Sequence, residues 1–276
     1  MKYLVSQLLR IFVKAHLRLY ENGDRTPAVR SVILGDLISR KIILDGMYEH
    51  RELAVLSREL FPLLARDSTA LDIGANIGNH ANYFADYFER VVAFEPNPTV
   101  ATVLRTNSMA RNFEVVEIGL SDAPGMLNFV ENPQNIGASR ITDEHSSIKI
   151  KVDKLDSLVE PLKLHDVVFV KIDVEGHEDR VIAGAAELLS TSQPVIAMEG
   201  LYHTDREKGA RVSALLNELG YRHFYALSDG WDHMPRWLYH AIPKPIRKSR
   251  PLRLKPVDRL TGNDHLLAIV SATPIK

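Results

Sequence analysis

The run Asp72-Ile73-Gly74-Ala75-Asn76-Ile77-Gly78-Asn79 has the residue types of a sharp strand-to-helix turn that a ligand can approach closely. Gly74 and Gly78 carry no side chain to obstruct a reversal of the backbone. Asn76 belongs to the few other residues that enter left-handed conformations readily. The N–H groups that open the following helix would then face whatever the turn receives. A dinucleotide fingerprint, Gly-x-Gly-x-x-Gly, fits only at Gly74, because Asn76 and Asn79 stand in its second and third glycine places.

The pattern of methyl-donor sites, an acid followed by glycines at alternate positions, fits at Asp72, Gly74 and Gly78, with Asn76 as the departure. The next signal is Val92-Ala93-Phe94-Glu95-Pro96-Asn97, which puts an acid at the end of the second apolar run. A carboxylate has two acceptor oxygens and takes both hydroxyls of a ribose, so Glu95 is the expected ribose ligand. Gly119-Leu120-Ser121-Asp122 follows the third run, where Asp122 could accept from an adenine amino group. A polar turn in which Ser121 and Asp122 bond their own backbone fits the same residues.

Lys171-Ile172-Asp173-Val174-Glu175-Gly176-His177-Glu178 gathers ionisable groups at the end of a fourth run, the crevice end of an open α/β sheet. Asp173, Glu175 and His177 are the candidates for removing a proton from an acceptor. Imidazole has an ordinary pKa of about 6.5, whereas the two carboxylates become bases only if desolvated, and otherwise orient the reactants. A solvated helix start with acids in its first turn is the plainer reading of Glu175, His177 and Glu178. Asp173 and Glu199 could also hold a divalent cation, but carboxylates at sheet edges serve more often as hydrogen-bond acceptors, and no metal is expected. Tyr48, Tyr202 and His203 are weaker candidates for an acceptor pocket, and Trp231, Trp237 and Tyr239 for stacking on a sugar.

These residues need a frame that brings several strand ends together. From Thr69 onward short apolar runs alternate with helical patterns, the signature of a parallel sheet covered by helices. Strands are predicted at Ala70–Ile73, Val91–Phe94, Glu114–Ile118, Val167–Ile172, Val195–Met198, His223–Ala226 and Leu266–Val270. Helices are predicted at His80–Tyr87, Thr99–Ala110, Glu178–Leu189 and Ala210–Leu219. The fold class is therefore α/β, a doubly wound, mostly parallel seven-stranded sheet. Residues 125–158 break the rhythm as an antiparallel excursion, whose link Glu131–Ser147 is expected at the rim of the site. Five prolines between 228 and 262 forbid a long helix there.

Of the 276 residues 45% are apolar and 25% charged, and 34 Lys and Arg face 35 Asp and Glu. The net charge of −1 gives no global attraction to nucleic acid. With no cysteine there are no disulfides and no thiolate chemistry, and a cytoplasmic location is the default. Residues 1–50 are expected to form an N-terminal helical extension, and residues 51–276 the catalytic domain. Arg10, Lys14 and Arg18 keep the first twenty residues from spanning a bilayer; an amphipathic helix packed on the domain, on a second copy, or on a membrane surface fits them. Arg236, Lys244, Arg247, Lys248, Arg250, Arg253, Lys255 and Arg259 against one acid, Asp258, make a local basic stretch suited to a solvated loop or to anionic lipid at the inner membrane surface.

Taken together, Gly46-Met47-Tyr48-Glu49, the Asp72–Gly78 turn, Phe94-Glu95-Pro96, Leu155-Asp156 and the Lys171–Glu178 run resemble the FkbM-type family of class I S-adenosylmethionine-dependent methyltransferases over about Gly46 to Gly200. The resemblance implies S-adenosyl-L-methionine as cofactor and O-methylation of a hydroxyl on a sugar, glycan or natural product. It implies a donor site of Tyr48, Glu49, Asp72, Gly74, Ala75, Asn76, Gly78, Asn79, Glu95, Asn97, Ser121 and Asp122. A nicotinamide-dependent oxidoreductase and a non-catalytic nucleoside-binding module are the alternatives; the glycine spacing disfavours the first, and turnover separates the second.

Overall fold

A strand buried along its whole length on both faces belongs at the centre of a parallel sheet, and β1 (Thr69–Ile73) has that character at all five residues. The computed structural model describes residues 31–111, 113–132, 135–199, 206–230, 251–258 and 267–275. β2 (Arg90–Phe94) and β8 (Val167–Ile172) flank β1 in parallel, with β3 (Glu114–Val116) beyond β2 and β9 (Val195–Glu199) beyond β8. The far side is antiparallel: β12 (Leu267–Ser271) pairs with β9, β10 (His223–Ser228) with β12, and β11 (Arg253–Val257) with β10. The order β11-β10-β12-β9-β8-β1-β2-β3 gives eight strands, not seven. The extra one falls in the Pro-rich stretch, and Pro256 is accommodated because β11 is an edge strand.

Strand alternation sorts side chains onto two cores. Leu71, Ile73, Val92, Phe94, Val170 and Ile172 face one side. There they meet Leu155 of α5 (Leu155–Leu158), Val181 and Ile182 of α6 (Glu178–Gly184), Leu188 of α7 (Ala186–Ser192) and Val212 and Leu216 of α8 (Arg206–Glu218). Ala70, Ala93, Phe169 and Ala197 face the other, against Leu53 of α2 (His50–Val55), Leu56, Phe61 and Phe84 of α3 (Asn79–Phe84). Rings of Phe61, Phe84 and Phe88 surround Phe169 at centroid distances of 5.2, 5.2 and 5.8 Å. α4 (Pro98–Ser108) starts with Asn97 as its cap, whose side chain accepts from the Thr99 N–H. Chain order supplies the site: β1 leads to β2 and β3 on one side, whereas β8 leads to β9 on the other, so a crevice opens between the ends of β1 and β8.

Residues 119–153 form a second sheet in the order β4-β7-β5-β6, made of β4 (Gly119–Leu120), β5 (Gly125–Val130), β6 (Arg140–Thr142) and β7 (Ile148–Asp153). β3 stops at Val116, short of the predicted Ile118, because the chain turns there into β4. The helix predicted over 178–189 is two, α6 and α7, broken at Ala185. Ahead of β1, α1 (Leu37–Asp45) is capped by the Asp36 carboxylate on the Ser39 N–H and closed by Gly46 in left-handed backbone. The N-terminal amphipathic segment, Tyr202, His203, Trp231, Trp237, Tyr239 and most of the basic stretch lie outside the described residues. No helix among the described residues is long and apolar enough to cross a membrane.

Next to the break, a Cβ on Gly184 would lie 1.9 Å from the Ser121 carbonyl oxygen, so only a glycine lets α6 approach the second sheet this closely. Gly184→Ala is expected to lower stability by about 1–3 kcal/mol, the usual cost of overpacking; an unchanged urea midpoint would contradict this contact.

Candidate active site

The turn after β1 is built by three left-handed residues, Gly74 at φ 81°, Asn76 at φ 51° and Gly78 at φ 89°. Gly74 is required twice over, since a Cβ there would lie 1.8 Å from the carbonyl oxygen of Asp173. Asn76 steadies its own strained backbone through Oδ1, which accepts from the Ile77 N–H at 2.7 Å. The N–H groups of Gly74 and Ala75 both donate to the Phe94 carbonyl at 3.0 Å, tying the turn to the end of β2.

That tie places Glu95. Its Oε2 accepts from the Asn76 N–H at 3.0 Å and its Oε1 from the Asn97 N–H at 2.9 Å. Each oxygen keeps a lone pair, so the carboxylate is held with two acceptor sites still to offer. Burial pushes the Glu95 carboxyl up to about 7, against the pull of the Asn97 and Asn76 N–H bonds. Asn97 also donates to Glu131 Oε1 at 2.7 Å, linking the floor to the second sheet. Asn79 exchanges two hydrogen bonds of 3.0 Å with the Tyr48 backbone, which fixes the N-terminal region against α3. Burial, then the nearby Glu49, Glu199 and Asp173 charges, hold the Tyr48 phenol above its ordinary range.

Beneath the turn lies a lysine whose role the sequence does not reveal. Lys171 is only 2% exposed, and its Nζ sits 3.1 Å from Asp173 Oδ2 and 3.7 Å from Asp72 Oδ1. Asp72 is fully buried and neither carboxylate oxygen has a hydrogen-bond partner, so the lysine charge is its main compensation. Burial by itself would lower the Lys171 pKa, but Asp173, Asp72, Glu199 and Glu49 together outweigh it and hold the ammonium charged. Burial, followed by the Asp173 and Glu49 charges, raises Glu199 well above the usual carboxylate range. Glu49 itself pairs with His80 at 3.2 Å. One buried cation thus stands among more acids than it can neutralise.

These groups border an open cleft. Tyr48, Gly74, Ala75, Asn76, Asn79, Glu95 and Asn97 of the expected donor site line it, together with Asp173 and Glu175. Lys171 and Glu199 join them, and residues 135–141 of the antiparallel excursion form a wall. Glu49, Asp72, Gly78, Ser121, Asp122 and His177 are not part of the lining. Gly78 caps α3, with no room for a Cβ against Leu104 at 2.8 Å. His177 Nε2 lies 2.9 Å from Ser121 Oγ, and Asp122 pairs with Arg180. Burial lowers the His177 pKa, keeping the ring neutral at a place beside the cleft rather than in it. Glu175, held at φ 49°, does reach the cleft; burial, then the Asp173 and Glu178 charges, pushes its carboxyl up to about 7.

The residues present fit a sulfonium nucleoside. Glu95 offers two acceptor sites to a diol, the turn at Gly74 leaves room for close approach, and the surplus of acids favours a positive charge. Among the described residues no group of three or more His, Asp and Glu side chains is placed to hold a metal ion.

Removing the lysine tests this electrostatic frame. Lys171→Met leaves the buried Asp72 carboxylate and the half-buried one of Asp173 uncompensated and is expected to cost about 3–5 kcal/mol. An unchanged urea midpoint in Lys171→Met would contradict the frame.

Comparison with known proteins agrees with the geometry. Residues 72–223 match the family described as Methyltransferase FkbM domain. The chain is 34% identical over 132 residues to the hexuronic acid methyltransferase AglP of Haloferax volcanii, covering 47% of this chain and 55% of that protein, so the match spans about half of that relative's length. It is 28% identical over 173 residues to the 2-O-methyltransferase NoeI of Sinorhizobium fredii, covering 54% of this chain and 70% of that one. A solved FkbM methyltransferase from Methylobacillus flagellatus is 22% identical, with a TM-score of 0.40 over 60% of this chain and 41% of its own. The family match runs from the acid beneath the glycine turn to the first residue of β10 and takes in more than half of the sequence, and on that ground the chain belongs to the FkbM methyltransferase domain family.

Proposed function

We propose that this protein transfers a methyl group from S-adenosylmethionine to a hydroxyl of a sugar or glycan. The observation that carries the reading is Glu95, a buried carboxylate fixed by two backbone N–H groups beside the glycine turn, with an acceptor site left on each oxygen. When bound, the donor supplies a methyl group already activated by a positive sulfur. Glu95 takes the ribose hydroxyls, and the turn from Gly74 to Asn76 lets the nucleoside approach the backbone. Asp173, together with Glu175 once it is ionised, favours the cationic donor and holds the neutral product less strongly, which assists release.

Since the donor is already activated, the protein's remaining tasks are alignment and removal of the hydroxyl proton. Glu175 is the base best suited by position: it lines the cleft, and a carboxyl pushed to about 7 accepts a proton far more readily than an ordinary one. Asp173 is turned to another task, because its Oδ2 is occupied by Lys171 and it fixes the acidic floor. A sugar acceptor is supported by the relatives, one acting on a hexuronic acid and one a 2-O-methyltransferase.

Two measurements test this assignment. Glu95→Ala should weaken S-adenosylmethionine binding by about 2–4 kcal/mol, the scale of two charge-assisted hydrogen bonds, and unchanged calorimetric affinity would refute the ribose role. Turnover by the wild type should rise with pH through about 7, because the base must be ionised to take a proton. Glu175→Gln should lower turnover about 100-fold or more and remove that acid limb; retention of both would exclude Glu175 as the base.

A further inference from the structure

The basic side chains on the cleft wall differ in what holds them. Lys171 is committed to Asp72 and Asp173, and the His80 ring lies 3.2 Å from the Glu49 carboxylate. Arg140 lines the same cleft, is exposed, and makes no ion pair or hydrogen bond through its guanidinium among the described residues. It does not hang from a loose loop. Arg140 opens β6, which pairs with β5 through Val130, Phe129 and Asn128. The residue before it, Ser139, is fixed by the Asn132 N–H donating to its Oγ at 3.0 Å. Its neighbour Ile141 packs with Phe129, Ile150 and Val152 in a small core of the second sheet.

The position of Arg140 gives the cleft two electrical characters. Asp173, Glu175 and Glu199 stand at and beyond the ends of β8 and β9, where a cationic donor is favoured. Arg140 stands on the second sheet, close enough to Glu175 for its positive charge to act on that carboxyl, with no salt bridge between them among the described residues. A guanidinium is a fork of N–H donors whose geometry matches a carboxylate or a phosphate through two bonds. An acidic cleft repels anions in general, so an unpaired arginine beside the base is useful for an acceptor that carries one.

We propose that Arg140 is an acceptor-binding, specificity-determining residue, which selects a sugar bearing a carboxylate or phosphate near the hydroxyl to be methylated. The assignment rests on the methyltransferase reading above. It gives the second sheet a task the donor site does not need, presenting one positive charge to the acceptor while the main sheet presents negative charge to the donor.

The test compares wild type with Arg140→Gln and Arg140→Lys on a panel made of a uronic acid glycoside, a hexose phosphate, the matching uronamide and a neutral hexoside. Wild type should prefer one of the two anionic sugars, and which one distinguishes carboxylate from phosphate. Arg140→Gln should raise KM for that sugar about tenfold or more with kcat little changed, and Arg140→Lys should recover part of the loss. Donor affinity by calorimetry should stay at the wild-type value. Equal kcat/KM for charged and neutral sugars would overturn the proposal, and so would a loss confined to donor binding, which would place the donor's own carboxylate on Arg140. If no saccharide gains a methyl group, the functional reading fails separately. Titration of the same sugars into protein saturated with S-adenosylhomocysteine then decides Arg140, with anion binding lost in Arg140→Gln supporting it and no difference overturning it.

Discussion

Lys171 lies buried at the seam of β1 and β8, directly beside Asp72 in the strand register, with its ammonium shared between Asp72 and Asp173. The carboxylate of Asp72 sits under the glycine turn and that of Asp173 at the mouth of the cleft. One ammonium therefore joins the two halves of the site. A buried ion pair is a poor source of net stability, since desolvation offsets most of the attraction. Its value here is positional: with both carboxylates pinned to one charge, the end of β8 stays close to Gly74, and only a glycine fits the gap that results.

From that seam the rest of the site follows outward. The turn from Gly74 to Gly78 is fastened to β2 by the Phe94 carbonyl, and the same fastening brings the Asn76 N–H to Glu95. On the proposed reading Glu95 is both a structural acceptor and the donor's ribose ligand, held in place by the backbone N–H groups of Asn76 and Asn97. The acids left uncompensated around Lys171 set the sign of the cleft. A sulfonium carries the charge such a cleft favours and loses it on methyl transfer, so the same field that assists binding of the donor weakens retention of the product.

Much of this was legible in the sequence because its causes are local. Gly74, Asn76 and Gly78 are residue types that tolerate left-handed backbone, and all three adopt it. The position of Glu95 at the end of a strand was readable, as were the strands β1, β2, β8 and β9, from apolar runs of ordinary length. What was not legible depends on pairing across distance. Lys171 in Val-Val-Phe-Val-Lys-Ile looks like an interruption of a buried strand, and only the register beside Asp72 gives it a partner. His177 looked like a base by its type, but Glu175 and Gly176 at φ 49° and 101° redirect the chain, and the ring settles on Ser121. β11 was hidden by Pro256, which an interior strand would not tolerate and an edge strand does. Arg140 carried no motif at all, and its meaning comes from the second sheet that places it on the cleft wall.

The central claim is that the turn after β1, Glu95 and the acids around Lys171 form one donor site at the seam of β1 and β8. The most direct measurement is a crystal structure of the protein with S-adenosylhomocysteine. The account predicts the ribose hydroxyls on the two Glu95 oxygens and the sulfur at the end of the seam, within reach of Asp173 and Glu175. A nucleoside bound elsewhere, or one in this cleft with Glu95 still touching only the Asn76 and Asn97 N–H groups, would contradict it.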